Sequence, residues 1–228
     1  MNLLDWILPR QCLGCRQFSA GERLCSACLE RFPLLKDSCC PSCALPFESE
    51  GGHLCFSCLE TPPPFRRTFA LAIYRGILHD LVTRMKFRPE ERIAEFLGRW
   101  LGESITLEEP RPEVILPVPL HSRRLRQRGF NQSAVIARQL SRQWGIPATP
   151  FLMERIRETA QQTGLSRVER KKNLSEAFRV LHPESIEGKR VLLVDDVYTT
   201  GATLLSAAAV LRDVGVASVD VAVVARTP

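Results

Sequence analysis

The segment Val191–Thr203, with the sequence VLLVDDVYTTGAT, contains the residue types needed to bind a phosphorylated sugar. The apolar run Val191–Val194 predicts a buried strand, and Asp195 and Asp196 stand at its carboxyl end. The loop Thr199–Thr203 offers hydroxyls, small side chains and a glycine, and it leads into a predicted helix whose N-terminus favours an anion. Two adjacent carboxylates suit two neighbouring hydroxyls, as on a ribose. The residues alone therefore predict a ribose-phosphate site.

A second group of reactive residues is the cysteines, and all nine of them lie between Cys12 and Cys58. Eight form C-x-x-C pairs, each of which places two thiolates on one side of a tight turn and supplies half of a tetrahedral zinc site. The sequential pairing predicts two structural zinc ions, one held by each of the sets Cys12, Cys15, Cys25, Cys28 and Cys40, Cys43, Cys55, Cys58.

Alternatives to the sequential zinc sites remain open from spacing alone. A cross-braced arrangement, in which the first pair joins the third, satisfies the same spacing, and Cys39 is able to replace Cys40 by a slip of one residue. A disulfide framework needs an oxidising compartment and prefers an even number of cysteines, so the odd count favours zinc. The apolar start Met1–Pro9 has no basic residue before it and is interrupted by Asp5, so we expect no signal peptide and a cytoplasmic protein.

A third group is a run of arginines with no acidic residue among them, in residues 117–142. It begins after the apolar run Val114–Leu116 and includes Arg123, Arg124, Arg126 and Arg128. Guanidinium groups bind phosphate oxygens through two parallel hydrogen bonds, so this stretch predicts an anion-binding loop. Arg138 and Arg142 belong to a predicted helix at 132–144, and for these two arginines a solvated helix face is the better explanation.

The elements that must position these residues alternate between strands and helices. Apolar runs predict strands at Phe69–Tyr74, Val114–Leu116, Phe151–Met153, Ala177–Val180, Val191–Val194 and Val219–Val224. Helical spacing of apolar residues appears at 77–85, 93–101, 132–144 and 202–214. This alternation predicts an α/β fold with a mainly parallel sheet covered by helices on both faces. Ligands of such sheets bind at the carboxyl ends of the strands.

Charge divides the 228-residue chain in the same place as the cysteines do. Residues 1–62 hold five basic and seven acidic residues, a formal charge of −2, whereas the remainder carries +8. With the Pro62–Pro64 run as a boundary, the sequence predicts a double zinc ribbon at 1–62 and a larger domain at 63–228. A basic domain favours an anionic ligand such as a phosphate or nucleic acid. No apolar run reaches the roughly 20 residues needed to span a membrane.

The segment Val191–Thr203 closely resembles the signature of type I phosphoribosyltransferases, which bind 5-phosphoribosyl 1-diphosphate (PRPP). The resemblance implies that Asp195 and Asp196 hold the ribose hydroxyls and act in catalysis. It implies that the 5′-phosphate binds to Thr199, Thr200, Gly201, Ala202 and Thr203. It also implies a Mg²⁺ ion carried with PRPP, a pyrophosphate loop that includes Pro117, Val118, Pro119, Arg124 and Arg128, and a flexible loop that includes Arg157, Gln161 and Arg170.

Over nearly its whole length the chain resembles the ComF family, also described as GntX-like. The resemblance rests on the cysteine pairs, Lys86-Phe87, Pro117–Pro119, the RGFNQ sequence Arg128–Gln132, and Arg157, Gln161, Arg170 and Asn173 in the R-x-T-x-Q and R-x-x-N patterns. It implies a phosphoribosyltransferase with an unidentified acceptor, serving DNA uptake in natural competence or nucleotide salvage from DNA. Implied partners are PRPP, single-stranded DNA and proteins of the DNA-uptake machinery. Two alternatives are a non-catalytic scaffold for single-stranded DNA and a PRPP sensor.

Overall fold

The computed structural model describes residues 11–19, 23–36, 38–48, 52–156 and 177–228. The cysteine-rich part contains the short helices α1 (Ser26–Glu30) and α2 (Phe56–Glu60). The following elements are, in chain order, β1 (Thr68–Ile73), α3 (Gly76–Phe87), α4 (Glu91–Ser104), β2 (Val114–Pro117), α5 (Ser122–Arg128), α6 (Gln132–Trp144), β3 (Met153–Arg155), β4 (Phe178–Val180), a 3₁₀ helix (Pro183–Ser185), β5 (Arg190–Tyr198), α7 (Ala202–Asp213) and β6 (Ser218–Arg226).

The core of the larger part is a four-stranded sheet in the order β1-β6-β5-β2, with every neighbouring pair parallel. Successive side chains of β5 point to opposite faces, so Leu192 packs in one apolar cluster and Leu193 in the other. Both faces are buried, which explains why the strands are almost continuously apolar. The predicted α/β fold with a parallel core is confirmed.

Each face of the sheet is covered by a different set of helices and by a different cysteine-rich ribbon. Apolar residues of α3, α4 and α6 cover one face together with Cys12, Leu24 and Phe32 from the first ribbon. The other face is covered by α7, by the antiparallel pair of β3 and β4, and by the four cysteines of the second ribbon. The two ribbons therefore contribute to both halves of the core.

The segment between the two ribbons lies along the outer edge of β1. The backbone N–H of Leu35 donates to the carbonyl of Leu71 at 3.0 Å, and the N–H of Ile73 donates to the carbonyl of Pro33 at 2.8 Å. At the opposite edge, Ile115 of β2 exchanges backbone hydrogen bonds with Pro147 and Thr149. Both edge strands of the sheet are thus partly covered by other backbone segments.

Three elements differ from the sequence-based expectations. Strand β5 continues through both aspartates to Tyr198 instead of ending at Val194, because β6 offers hydrogen-bond partners in register as far as Arg226. The arginine-rich stretch contains the helix α5, where an irregular loop was expected. The strand expected at Phe151–Met153 begins only at Met153 and pairs with β4 outside the main sheet.

In the part of the chain that the structure describes, no helix has the length and apolarity that crossing a bilayer requires.

The start of β1 is fixed to β6 by an aspartate with two arginine partners. Asp220 is 2% exposed, and its two carboxylate oxygens accept from Arg66 Nε at 3.0 Å and Arg66 Nη2 at 2.8 Å. Arg67 Nε donates to the same carboxylate at 3.3 Å. These bonds hold the residues that follow the proline run against a central strand of the sheet.

We expect Asp220→Asn to lower the free energy of unfolding by about 2 kcal/mol, because a buried charge-assisted network is lost while the half-exposed Arg66 regains water. Urea denaturation of the zinc-loaded protein measures this change. The control is Asp213→Asn at the exposed end of α7, which should change stability by less than about 0.5 kcal/mol. Equal stability of the two variants would contradict the role of Asp220.

Candidate functional site

The two aspartates of β5 are buried side by side near the carboxyl end of the sheet, with residue exposures of 9% for Asp195 and 4% for Asp196. Oδ1 of Asp195 accepts from the Asp196 backbone N–H at 2.8 Å and from the Ser133 hydroxyl at 2.9 Å. Oδ2 of Asp196 accepts from Gln132 Nε2 at 2.9 Å and lies 3.1 Å from Lys86 Nζ. Three residues from two helices therefore fix the orientation of the carboxylates.

The N-terminus of α6 is placed beside the aspartates by Asn131. The side-chain oxygen of Asn131 caps the helix by accepting from the Ser133 N–H at 3.0 Å, and its amide group donates to the Val118 carbonyl at 3.1 Å. The Val118 N–H in turn donates to the Val194 carbonyl at 2.8 Å. The predicted pyrophosphate loop, the start of α6 and strand β5 are consequently one hydrogen-bonded unit.

The carboxylate pair is electrostatically strained. Burial, and secondly the charge of Asp196, raise the pKa of Asp195 to about 7. The charge of Lys86 and the Ser133 hydroxyl act in the opposite direction. The amide oxygen of Gln132 is buried and has no hydrogen-bond partner among the described residues. The site thus combines two adjacent carboxylates with a buried acceptor that has no partner among the described residues, and both favour a ligand that brings hydroxyl donors.

One face of α5 carries two arginines, and the charges of both aspartates act on one of them, Arg128. Arg124 and Arg128 are four residues apart and so share one face of the helix. Burial lowers the pKa of Arg128; the charge of Asp196 opposes this change, whereas that of Arg124 adds to it. Arg123 and Arg126 are more exposed than these two. Two guanidinium groups held close to each other at a sheet end form a favourable site for an anion.

The loop after β5 is shaped to approach an anion closely. Gly201 has φ +80° in the left-handed region and caps α7, whose first turn begins with Ala202 and Thr203. A Cβ at Gly201 would lie 2.6 Å from the ring of Tyr198, so no other residue fits there without a shift. Thr199 and Thr200 are exposed. The loop therefore presents hydroxyls and a helix N-terminus to solvent next to the aspartates.

The cysteines form two clusters that match the sequential pairing. In each set, Cys12, Cys15, Cys25, Cys28 and Cys40, Cys43, Cys55, Cys58, all four sulfur atoms lie within 4.8 Å of one another. The Cys15–Cys25 and Cys43–Cys55 sulfur distances are 3.7 and 3.6 Å. Tetrahedral zinc with bonds of about 2.3 Å requires sulfurs about 3.8 Å apart, so both clusters fit a structural zinc ion. The cross-braced alternative does not occur.

The second cluster is the more deeply buried of the two. All four of its cysteines are buried, whereas Cys15 of the first cluster is exposed. A backbone N–H donates to a thiolate at the same place in both ribbons, from Cys25 to Cys12 and from Cys55 to Cys40, each at 3.3 Å. Cys39 lies outside both clusters, which decides in favour of Cys40 as the ligand.

The structure brings together most of the residues that the sequence singled out. Pro117 pairs with Val194, the residue before Asp195, and the Val118 N–H donates to the same residue. The Thr199–Thr203 loop follows the aspartates at the end of β5. Arg157, Gln161 and Arg170, predicted for a flexible loop, lie outside the described residues.

The sequence reasoning did not assign Lys86, Gln132 or Ser133 to the site. The signal was present for Lys86 and Gln132, because Lys86-Phe87 and RGFNQ are family patterns to which the sequence gave no physical role. Ser133 follows RGFNQ and belongs to neither pattern. The structure gives that role, since each of the three side chains contacts one of the two aspartates.

Comparison with known proteins gives matches to two family models, a phosphoribosyl transferase domain at residues 131–228 and a double zinc ribbon domain at residues 3–59. The chain is 36% identical over 230 residues to DNA utilization protein YhgH of Salmonella typhi, an alignment that covers 96% of this chain and 98% of that protein. It is 34% identical over 227 residues to competence protein F of Haemophilus influenzae, covering 95% and 96% of the two chains.

Among solved structures, the chain is similar to the glutamine PRPP amidotransferase of B. subtilis in complex with ADP and GMP. The identity is 23% and the TM-score is 0.42, over 57% of this chain and 25% of that one.

We expect Lys86→Met to raise the pKa of Asp195 above its value of about 7, because the nearby positive charge is lost. Since the pKa of about 7 lies above that of an unfolded aspartate, the folded state holds an extra proton between about pH 4 and pH 7. The contribution of Asp195 to stability is therefore present at low pH and is lost as the pH rises through 7. Carbon-13 NMR titration of the aspartate carboxyls measures the shift. Lys189→Met, near the other end of β5, should leave the pKa of Asp195 unchanged. An unchanged pKa of Asp195 in Lys86→Met would contradict the electrostatic effect of Lys86 on this carboxyl group.

Proposed function

Because the chain belongs to the ComF family, together with competence protein F and DNA utilization protein YhgH, we propose that it binds PRPP and acts as a phosphoribosyltransferase in the use of DNA taken up by the cell. The double zinc ribbon and the phosphoribosyltransferase domain of this family are both present in the chain. In this proposal the product serves nucleotide salvage from DNA or the uptake process itself.

The observation that carries the proposal is the buried Asp195–Asp196 pair. It precedes the Gly201 loop along the chain, and its charges act on Arg128 of α5. A ribose hydroxyl would donate to the carboxylates, and a further donor would satisfy the amide oxygen of Gln132. A buried acceptor left without a donor is destabilising by about 1–3 kcal/mol, so the Gln132 amide oxygen favours such a ligand. The 5′-phosphate would bind at the N-terminus of α7, with the diphosphate towards Arg124 and Arg128.

In the proposed reaction, an acceptor nitrogen attacks the anomeric carbon of PRPP while the bond to pyrophosphate breaks. Asp195 and Asp196 orient the ring and stabilise the positive charge that develops on it. Arg124 and Arg128 stabilise the negative charge of the departing pyrophosphate. The oxygen donors of the carboxylate pair are of the type that Mg²⁺ prefers, and a Mg²⁺ ion bound with PRPP would supply further charge stabilisation to the leaving group.

The residue at position 199 narrows the class of acceptor. Enzymes of 6-oxopurine salvage have an aspartate at the corresponding place in the signature, where it acts on the base. This chain has Thr199, which is neutral and does not hold a proton for a purine nitrogen. We therefore disfavour hypoxanthine and guanine as acceptors.

We expect the double variant Asp195→Asn/Asp196→Asn to weaken PRPP binding by at least about 100-fold, because two charge-assisted acceptors for the ribose are lost. Calorimetric titration of the zinc-loaded protein with PRPP and Mg²⁺ measures this. Asp213→Asn, which removes an exposed carboxylate outside the site, should bind PRPP like the original protein.

Absence of PRPP binding by the folded, zinc-loaded protein would overturn the proposal. Where PRPP binds, release of pyrophosphate in the presence of a panel of bases separates a transferase from a PRPP sensor. Turnover with any base supports catalysis, and binding without turnover supports the sensor.

One observation favours a second function, the handling of single-stranded DNA. Helix α5 has seven residues, four of them arginines, and no buried residue, so it contributes nothing to the core. Its Arg123 and Arg126 lie on the more exposed side, away from Arg124 and Arg128. A basic helix of this kind provides the phosphate contacts of a non-catalytic DNA scaffold.

For that function we expect Arg123→Gln/Arg126→Gln to reduce the slope of log affinity against log salt by about 1.4, because about 0.7 counterions are released per phosphate contact with a single strand. Fluorescence anisotropy with a labelled oligonucleotide at several salt concentrations gives the slope. Arg142→Gln at the far end of α6 is the matched control. A slope that is the same in all three proteins would exclude α5 as a DNA contact.

A further inference from the structure

The last residue of β6, Arg226, connects the second cysteine cluster with the predicted phosphate loop. It is 8% exposed, and its Nε donates to the carbonyl of Cys43 at 2.9 Å. Its Nη1 donates to the carbonyl of Thr199 at 3.1 Å and to that of Tyr198 at 3.3 Å. Cys43 is a member of the second cluster, and Thr199 is the first residue of the loop. One guanidinium group therefore joins the two sites directly.

Tyr198 makes this connection rigid. Arg226 and Tyr198 are register partners at the carboxyl ends of neighbouring strands, and the guanidinium carbon lies 4.3 Å from the centroid of the tyrosine ring. The same ring lies under Gly201, where an added Cβ would approach it to 2.6 Å. Movement of Arg226 consequently changes the support of the loop at both Thr199 and Gly201.

The acceptors of Arg226 are unusual for a buried cation. Among the described residues they are four carbonyls, those of Cys43, Tyr198, Thr199 and Thr227, and the Thr227 hydroxyl, with no carboxylate. A buried positive charge needs compensation, and a zinc ion held by four thiolates has a formal charge of −2. The fully buried second cluster fits this ion and lies next to Arg226. The second site thus provides a hydrogen-bond acceptor for Arg226, the carbonyl of Cys43, and its zinc-thiolate centre would provide the counter-charge.

The first ribbon provides an internal contrast. Arg84 donates to the carbonyl of Leu13, between two cysteines of the first cluster, much as Arg226 donates to Cys43. Its other bonds go to the carboxylate of Glu90, at 3.0 Å from Nε and 2.6 Å from Nη2. This arginine has a carboxylate counter-charge and no bond to the phosphate loop. Among the described contacts, only the second ribbon is connected to the phosphate loop through an arginine that bonds to both.

We propose that Arg226 is a positioning residue that makes the anion-binding conformation of the Thr199–Thr203 loop depend on zinc in the second site, and not on zinc in the first. By thermodynamic reciprocity, a ligand bound in the loop raises the affinity of the second site for zinc. The identity of that ligand as PRPP rests on the proposed function, whereas the dependence of the loop on zinc does not.

The test compares backbone hydrogen exchange in the peptide that contains residues 199–203 among four variants. Arg226→Lys keeps the positive charge, but a lysine lacks the guanidinium group whose separate nitrogens donate to the carbonyls of Cys43 and Thr199. Cys58→Ser removes a ligand of the second site. We expect exchange in this peptide to become at least about tenfold faster in both. The matched controls Arg84→Lys and Cys28→Ser act on the first ribbon and should stay within about twofold.

Zinc quantitation accompanies each measurement. Arg226→Lys with both zinc ions retained and unchanged exchange of the loop would overturn the proposal, as would equal acceleration in Cys28→Ser and Cys58→Ser. If Cys58→Ser does not fold, Arg226→Lys alone decides.

A second readout uses the rate at which a chelator removes zinc. In the original protein, PRPP with Mg²⁺ should slow the release of one zinc ion, and in Arg226→Lys this protection should disappear. Protection that survives in Arg226→Lys would contradict the proposal. If PRPP has no effect on the original protein because it does not bind, the proposed function fails, and hydrogen exchange still decides the role of Arg226.

Discussion

The arrangement around the sheet depends on placing two adjacent carboxylates, Asp195 and Asp196, in the buried end of a parallel strand. Such a pair is unfavourable without compensation, since burial and mutual repulsion both oppose ionisation. Compensation comes from three directions: Lys86 at the end of α3, Gln132 and Ser133 at the start of α6, and Arg128 at the end of α5. Helices α3 and α6 are therefore held in place by the polar contacts of the site as well as by apolar packing, whereas α5 has no buried residue.

The zinc ribbons have a structural role that reaches beyond their own stability. They contact the sheet at one edge and on both faces, because their linker runs along β1 and each ribbon adds apolar residues to one face. The contacts between the ribbons and the rest of the chain are of three kinds. Some are apolar, as between Phe32 and Trp100, and some join backbone groups, as between Pro33 and Ile73. Others involve arginines: Arg84 and Arg226 donate to ribbon carbonyls, and Arg16 lies 3.9 Å from Glu90.

Much of this structure was predictable because its signals are local. The cysteine spacing predicted the two clusters, and the strand-loop-helix pattern at Val191–Thr203 predicted the arrangement of the aspartates and Gly201. The contacts of Lys86 and Arg226 were not predictable, since Lys86 lies 110 residues from Asp196 and Arg226 lies 183 from Cys43. Their side chains meet only after the sheet has formed. Helix α5 was missed because it has no apolar face to give a periodic signal.

The strand order has a consequence for the sequence of folding events. Each ribbon closes through contacts between residues 10 to 15 apart, whereas β1 has its sheet partner in β6, about 150 residues later. Contacts that are close in sequence form early, and those between distant segments wait for a large loss of chain entropy. We therefore expect metal uptake by the ribbons to precede assembly of the sheet. In this order of events, the folded ribbons and their linker provide a surface that positions β1 before β6 pairs with it.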